Sequence, residues 1–122
     1  MAEAFAKKYG LEASSAGTHP LGRIYPAVRD VMEEKEIALS PSKKLTTAMI
    51  DEADRVVAIG PSVLKSCPKR MLRRMNKKRI EWTIRDPKGR TTAEVRKIRD
   101  ETERKARDLA TQTTLFETAR NA

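Results

Sequence analysis

The chain has 122 residues, with 26 Lys plus Arg against 17 Asp plus Glu and a formal charge of +9. Leu, Ile, Val and Phe number 23, or 19% of the chain, just under the level of about 20% below which a highly charged chain begins to look disordered. One Cys excludes a disulfide framework and a multi-cysteine zinc site, one His excludes a His-rich metal site, and no apolar run exceeds five residues, far too few to span a bilayer.

Ala2–Tyr9 is Ala-rich and followed by Gly10, so it predicts a helix with a glycine C-cap. Leu11–Ala16 predicts a short strand leading into the Gly17-Thr18-His19-Pro20 loop, where a lone His is expected to be solvated. Pro26 suits a first helical turn, and Ala27, Val28, Val31 and Met32 recur at helical spacing behind it. Ser40-Pro41-Ser42 reads as a linker. Thr46 or Thr47 caps a predicted short helix running to Ala53, with Ala48, Met49 and Ile50 inward.

Arg55-Val56-Val57-Ala58-Ile59, ended by Gly60-Pro61, predicts a parallel strand buried on both faces. Lys65 to Arg79 follows without a single acidic residue. It holds Lys65, Lys69, Arg70, Arg73, Arg74, Lys77, Lys78 and Arg79, so eight of the nine net charges sit here. Ile80, Trp82 and Ile84 alternate with polar residues, which predicts a half-buried strand ended at Asp86-Pro87. Thr91 and Glu94 have capping-box spacing, and Val95, Ile98, Thr102, Ala106 and Leu109 form one helical stripe behind them. Residues 111–122 carry too little pattern to assign. The alternation predicts an α/β layered domain over residues 1–110, with a mostly parallel sheet flanked by helices, and a tail at 111–122. Nothing at the start resembles a secretory leader, and the expected setting is cytoplasmic and away from membranes.

Met1-Ala2-Glu3-Ala4-Phe5, Ser15-Ala16-Gly17-Thr18, Asp54-Arg55-Val56-Val57, Trp82-Thr83-Ile84-Arg85-Asp86-Pro87 and Ile98-Arg99-Asp100-Glu101 occur in order. Together they resemble the low-molecular-weight protein tyrosine phosphatases and the thioredoxin-coupled arsenate reductases that share their fold. The resemblance covers residues 1 to about 109. It implies a first strand, central in the sheet, that delivers a loop of the form Cys, five residues, Arg, then Ser or Thr. In the family the helix that begins here at Met1 follows that loop. The strand and its loop do not occur among these residues, so the chain as given is expected to be a catalytically incomplete member. In its full-length form it would be a cysteine-dependent phosphatase or arsenate reductase.

The resemblance places Asp86 at the general-acid position, where the family's Asp protonates the leaving oxygen. It places Cys67 at the last thiol of the reductases' relay, with Gly60 where the middle thiol would stand. One cysteine cannot close an intramolecular disulfide, so Cys67 is expected to have no redox role. Cys67 to Arg73 formally repeats the Cys, five residues, Arg spacing, but no glycine bends it and Arg74 follows in place of Ser or Thr. No cofactor and no metal are expected. The missing strand would leave the strands at 11–16 and 55–59 without a shared neighbour, so direct pairing between them, or a homodimer through the exposed sheet edge, is expected. The alternative is a non-catalytic basic module in which residues 65–79 meet an acidic or phosphate-bearing partner, protein or nucleic acid.

Overall fold

The computed structural model describes residues 1–17, 24–39, 43–60 and 65–121, with side chains to residue 112. His19 and the Ser40-Pro41-Ser42 linker lie outside these residues. The chain forms two compact units, one from Met1–Ser15, Ile24–Ser40 and Pro87–Ala122, the other from Ala16–Arg23 and Pro41–Asp86. No helix among the described residues is long and apolar enough to cross a membrane.

The first unit is helical: α1 (Ala2–Lys8), α2 (Pro26–Glu33) and α5 (Thr92–Asn121). α1 ends as predicted. The Gly10 N–H donates to the Lys7 carbonyl and the Leu11 N–H to the Ala6 carbonyl, with Gly10 at φ +92°. These two bonds satisfy carbonyls that a helix end otherwise strands, and they need a left-handed residue between them. α2 closes with the same pair of bonds, Glu36 to Glu33 and Ile37 to Met32. Here Glu36, not a glycine, takes the left-handed conformation at φ +59°.

α5 starts where the Thr91 hydroxyl accepts the Glu94 N–H at 3.2 Å. Only half of the capping box forms, because the Glu94 carboxylate turns to Arg90 instead. Val95, Ile98, Thr102, Ala106 and Ala110 make the buried stripe, with Leu109 half-buried beside it. The Thr102 hydroxyl donates to the Ile98 carbonyl at 2.7 Å, which lets a polar side chain sit in that stripe. α1 and α2 both pack on α5. α1 contributes fully buried Phe5, and α2 contributes Val28, Val31 and Met32. Each such burial stabilises by about 1.5–3 kcal/mol relative to exposure. The helix continues to Asn121, through a segment whose sequence shows no apolar period.

Among the described residues the second unit includes four short strands and two helices. They are β1 (Ala16–Gly17), β2 (Lys43–Lys44), α3 (Thr47–Glu52), β3 (Val56–Ile59), α4 (Lys69–Met75) and β4 (Arg79–Trp82). β1 pairs with β2 and β3 with β4, both in parallel, as two separate sheets. The α/β class and the parallel sense are as predicted. Three details differ. The first strand is Ala16–Gly17, not Leu11–Ala16. Residues 11–15 meet no partner strand, so no ladder holds them extended. β2 was not visible in the sequence, being two exposed lysines with no apolar signature. And β1 and β3 do not pair with each other, so the expected closure of the sheet does not occur among the described residues.

β3 is also less buried than its sequence predicts. Ala58 is buried, Val56 and Val57 are half-buried, and Ile59 is 37% exposed. A strand is buried on both faces only when neighbours and helices surround it. β4 alternates as predicted, with Trp82 and Ile84 buried and Glu81, Thr83 and Arg85 exposed, although its ladder stops at Trp82. α3 takes Thr46 as its cap, with the Met49 N–H on the Thr46 hydroxyl at 3.2 Å. Of its predicted inward residues Ile50 is buried, Met49 is half-buried and Ala48 is exposed.

Candidate functional site

The second unit carries every residue singled out for chemistry. Cys67 sits at the foot of α4, whose N-cap is Pro68. It is buried with Ile50 and Met75, and Leu45, Val56, Met71 and Leu72 pack around that cluster. Burial pushes the Cys67 thiol above its ordinary pKa. A nucleophilic or relay thiol needs the opposite, an electropositive and accessible setting that favours the thiolate. Cys67 is here a small apolar core residue. The segment after it is a helix and not a cradle, with Arg73 exposed on α4, so the formal Cys-to-Arg spacing builds no anion loop.

Gly60 ends β3 at φ +84°, with its N–H on the Trp82 carbonyl at 3.0 Å. Among the described residues a Cβ there would meet only the Ile84 carbonyl oxygen, at 3.9 Å. The obstacle to a larger residue is therefore backbone conformation, worth about 1–2 kcal/mol, and not space. A cysteine at this position would be strained.

Asp86 is exposed and closes the second unit, directly after buried Ile84 and exposed Arg85. It follows β4 by four residues, past the buried Trp82 and Ile84 that anchor this stretch, and Pro87 restricts the backbone after it. This is a suitable mounting for a proton donor that meets substrate at a surface.

The basic block divides sharply. Arg74 donates to Asp51 at 2.8 Å, and Lys78 Nζ donates to the Ala53 carbonyl at 2.8 Å. Arg79 meets Glu81 at 3.4 Å. These three cations hold α4 and β4 against α3 and against their own strand. Lys65, Lys69, Arg70, Arg73 and Lys77 are exposed and have no ion-pair partner among the described residues. On α4 the sidedness follows from helical spacing. Met71, Leu72 and Met75 face the Ile50 cluster, and Lys69, Arg70 and Arg73 fall on the other side.

The strands expected to lack a shared neighbour do leave open edges among the described residues. The Val56 N–H donates to the Lys78 carbonyl and the Gly60 N–H to the Trp82 carbonyl, so the even-numbered residues of β3 face β4. Val57 and Ile59 then aim their backbone groups the other way. In β1 the Gly17 carbonyl accepts from Leu45, which leaves Ala16 aimed away from β2. No backbone bond joins these edges to one another among the described residues.

The chain matches the model of the low molecular weight phosphotyrosine protein phosphatase family over residues 1–120. It is 30% identical over 101 residues to a putative arsenate reductase of Halobacterium salinarum, covering 81% of this chain and 67% of that protein. Its fold matches a mutant of the arginine phosphatase YwlE with a phosphorylated active-site serine at a TM-score of 0.80 and 27% identity, covering 93% of this chain and 86% of that one. It also matches the solution structure of a low molecular weight protein tyrosine phosphatase from Bacillus subtilis at a TM-score of 0.73 and 27% identity, with 93% and 87% covered.

Proposed function

Because the chain belongs to the low molecular weight phosphotyrosine protein phosphatase family, we propose that it is the scaffold of a cysteine-dependent phosphatase or arsenate reductase whose nucleophile loop lies outside these 122 residues. The observation that carries this reading is the divided sheet. Among the described residues β1 and β3 each leave one edge unpaired, and the one thiol of the chain is buried in the core. A strand between the two edges would satisfy both rows of backbone groups, and open parallel edges are otherwise costly. In the complete enzyme a thiolate on that added segment attacks phosphorus or arsenic. Backbone N–H groups hold the oxyanion, and Asp86 gives its proton to the departing oxygen. On phosphorus, water then displaces the sulfur and frees phosphate; on arsenic, a second thiol from an external dithiol reductant attacks that sulfur instead, so that a disulfide forms and arsenite leaves with the bond's electron pair. The putative arsenate reductase among the relatives supports the reductase branch, while Gly60 at the middle thiol's position supports phosphatase chemistry.

The test compares the chain alone with the same chain extended by a strand and a Cys-x5-Arg-Ser loop, using an aryl phosphate. The chain alone should be inactive, and the extended form active. In that form Asp86→Asn should lower turnover by about 10²–10⁴, and Cys67→Ser should leave it unchanged. Turnover by the chain alone that is lost in Cys67→Ser would overturn the reading.

A second reading rests on a separate observation, the five cations around α4 that have no ion-pair partner among the described residues. In it residues 65–79 form a binding surface for an anionic macromolecule, with no catalysis required.

A further inference from the structure

We infer that the exposed face of α4 is a docking surface for the phosphate backbone of double-stranded nucleic acid, read without regard to sequence. The inference deepens the second reading above and is independent of the catalytic one.

Lys69, Arg73 and Lys77 recur every four residues, with Arg70 beside them and Lys65 one spacing earlier. α4 itself ends at Met75, so at about 1.5 Å per residue Lys69 to Met75 spans about 9 Å, with Lys77 in the turn beyond it and Lys65 before its Pro68 cap. The apolar face of the same helix is committed to the Ile50, Cys67 and Met75 cluster, so α4 cannot turn or insert into a lipid surface. Asp51 and Glu81 already serve Arg74 and Arg79 at the margins of the block. Five like charges held close repel one another, and a dense polyanion relieves that repulsion.

Charge density selects the partner. One strand of a duplex carries a phosphate charge per about 3.4 Å of axis, so a 9 Å row meets roughly three. An extended acidic peptide advances about 3.3 Å per residue with alternate side chains turned away, so the same row meets only about one carboxylate. No aromatic residue lies between positions 65 and 79 to stack on unpaired bases, which favours duplex over single strand. A sequence pI near 10.0 with cations gathered on one helix face is the electrostatic footprint of such binding.

The test is fluorescence anisotropy of the whole chain with a labelled 16-base-pair duplex of mixed sequence, across a salt series. Five neutralised phosphates give a slope of log affinity against log salt of about −4.5. Arg70→Gln with Arg73→Gln should weaken binding at least tenfold and bring the slope to about −2.7, with the far-ultraviolet circular dichroism unchanged. Lys97→Gln with Arg104→Gln removes the same charge from exposed positions on α5 and should change affinity less than twofold. Equal weakening by the two double variants overturns the inference, because net charge and not this face would then be responsible. Tighter binding of a 12-residue polyglutamate than of the duplex at equal salt also overturns it, while the second reading survives with a protein partner. If neither probe binds at low salt, both fail.

Discussion

Arg99 and Glu34, sixty-five residues apart in the chain, meet at 2.7 Å, and the same guanidinium nitrogen donates to the Val31 carbonyl at 2.8 Å. Arg99 is 7% exposed, and its Nε is held by Asp100 at 2.9 Å. Arg96 grips the same Glu34 carboxylate through Nε and Nη2, at 2.8 to 3.1 Å. Two arginines three residues apart on α5 therefore clasp the end of α2. A second clasp lies at Glu103, which takes Lys8 and Tyr9 from the end of α1 and Lys35 from the turn after α2.

Acid should loosen the clasps that hold α1 and α2 on α5. Hydrogen bonds from Arg96 are the main reason that the Glu34 carboxyl falls to about 2; burial opposes them, and hydrogen bonding from Arg99 and the charges of both arginines add to the fall. At Glu103 burial is the largest influence and acts against the charge, yet hydrogen bonds from Lys8 and Tyr9, with the charge of Lys35, bring the net shift down. A carboxylate whose folded pKa is depressed stabilises the fold above its unfolded pKa and loses that contribution as pH falls toward the folded value. Melting temperature should therefore drop as pH falls from about 4.5 to about 2. Glu34→Gln should start lower at pH 7 and show a shallower drop over that window. A parallel pH profile in the variant would remove Glu34 from the account.

Glu36→Gly should stabilise the protein by about 0.5–1 kcal/mol. The non-glycine residue at φ +59° carries a left-handed penalty of about 1–2 kcal/mol, offset partly by the greater freedom of glycine in the unfolded chain. Gly10 already meets the same requirement after α1. Chemical denaturation measures the gain, and a loss of stability would mean that the Glu36 side chain contributes more than its backbone costs.

Backbone amides of β3 should exchange with solvent in alternation. Ala58 faces β4 and should be protected, whereas Val57 and Ile59 face the open edge and should exchange at least tenfold faster. Protection of Val57 and Ile59 that grows with protein concentration would instead mark a second copy pairing at this edge. Uniform protection at all concentrations would refute the open edge.

The Cys67 thiol should react slowly with an aromatic disulfide reagent in the native protein and at once in denaturant. Its burial and raised pKa both suppress the thiolate. A native rate close to that of a free thiol would contradict the packing of Cys67 against Ile50 and Met75.

The helices were largely legible in the sequence because their determinants are local. Gly10, Pro26, Thr46 and Thr91 set the ends as read, and the Val95 to Ala106 stripe named its own buried face. The parallel sense of β3 could be read from a β-branched run bounded by Gly60. The family was legible too, from five short pieces in order. Strand partners were not, because pairing is decided by what lies alongside. Leu11–Ser15 has strand-like residues and no neighbour, while Lys43–Lys44 has no strand signature and pairs with Ala16–Gly17. The fate of the basic block was equally hidden. Eight cations look alike in sequence, and only the positions of Asp51, Glu81 and the Ala53 carbonyl separate three structural ones from five that face solvent. Composition and periodicity thus determined which segments are helical and where charge accumulates. Tertiary structure alone decided which backbone edges stay open and which charges remain unneutralised, since both depend on groups brought together from distant parts of the chain.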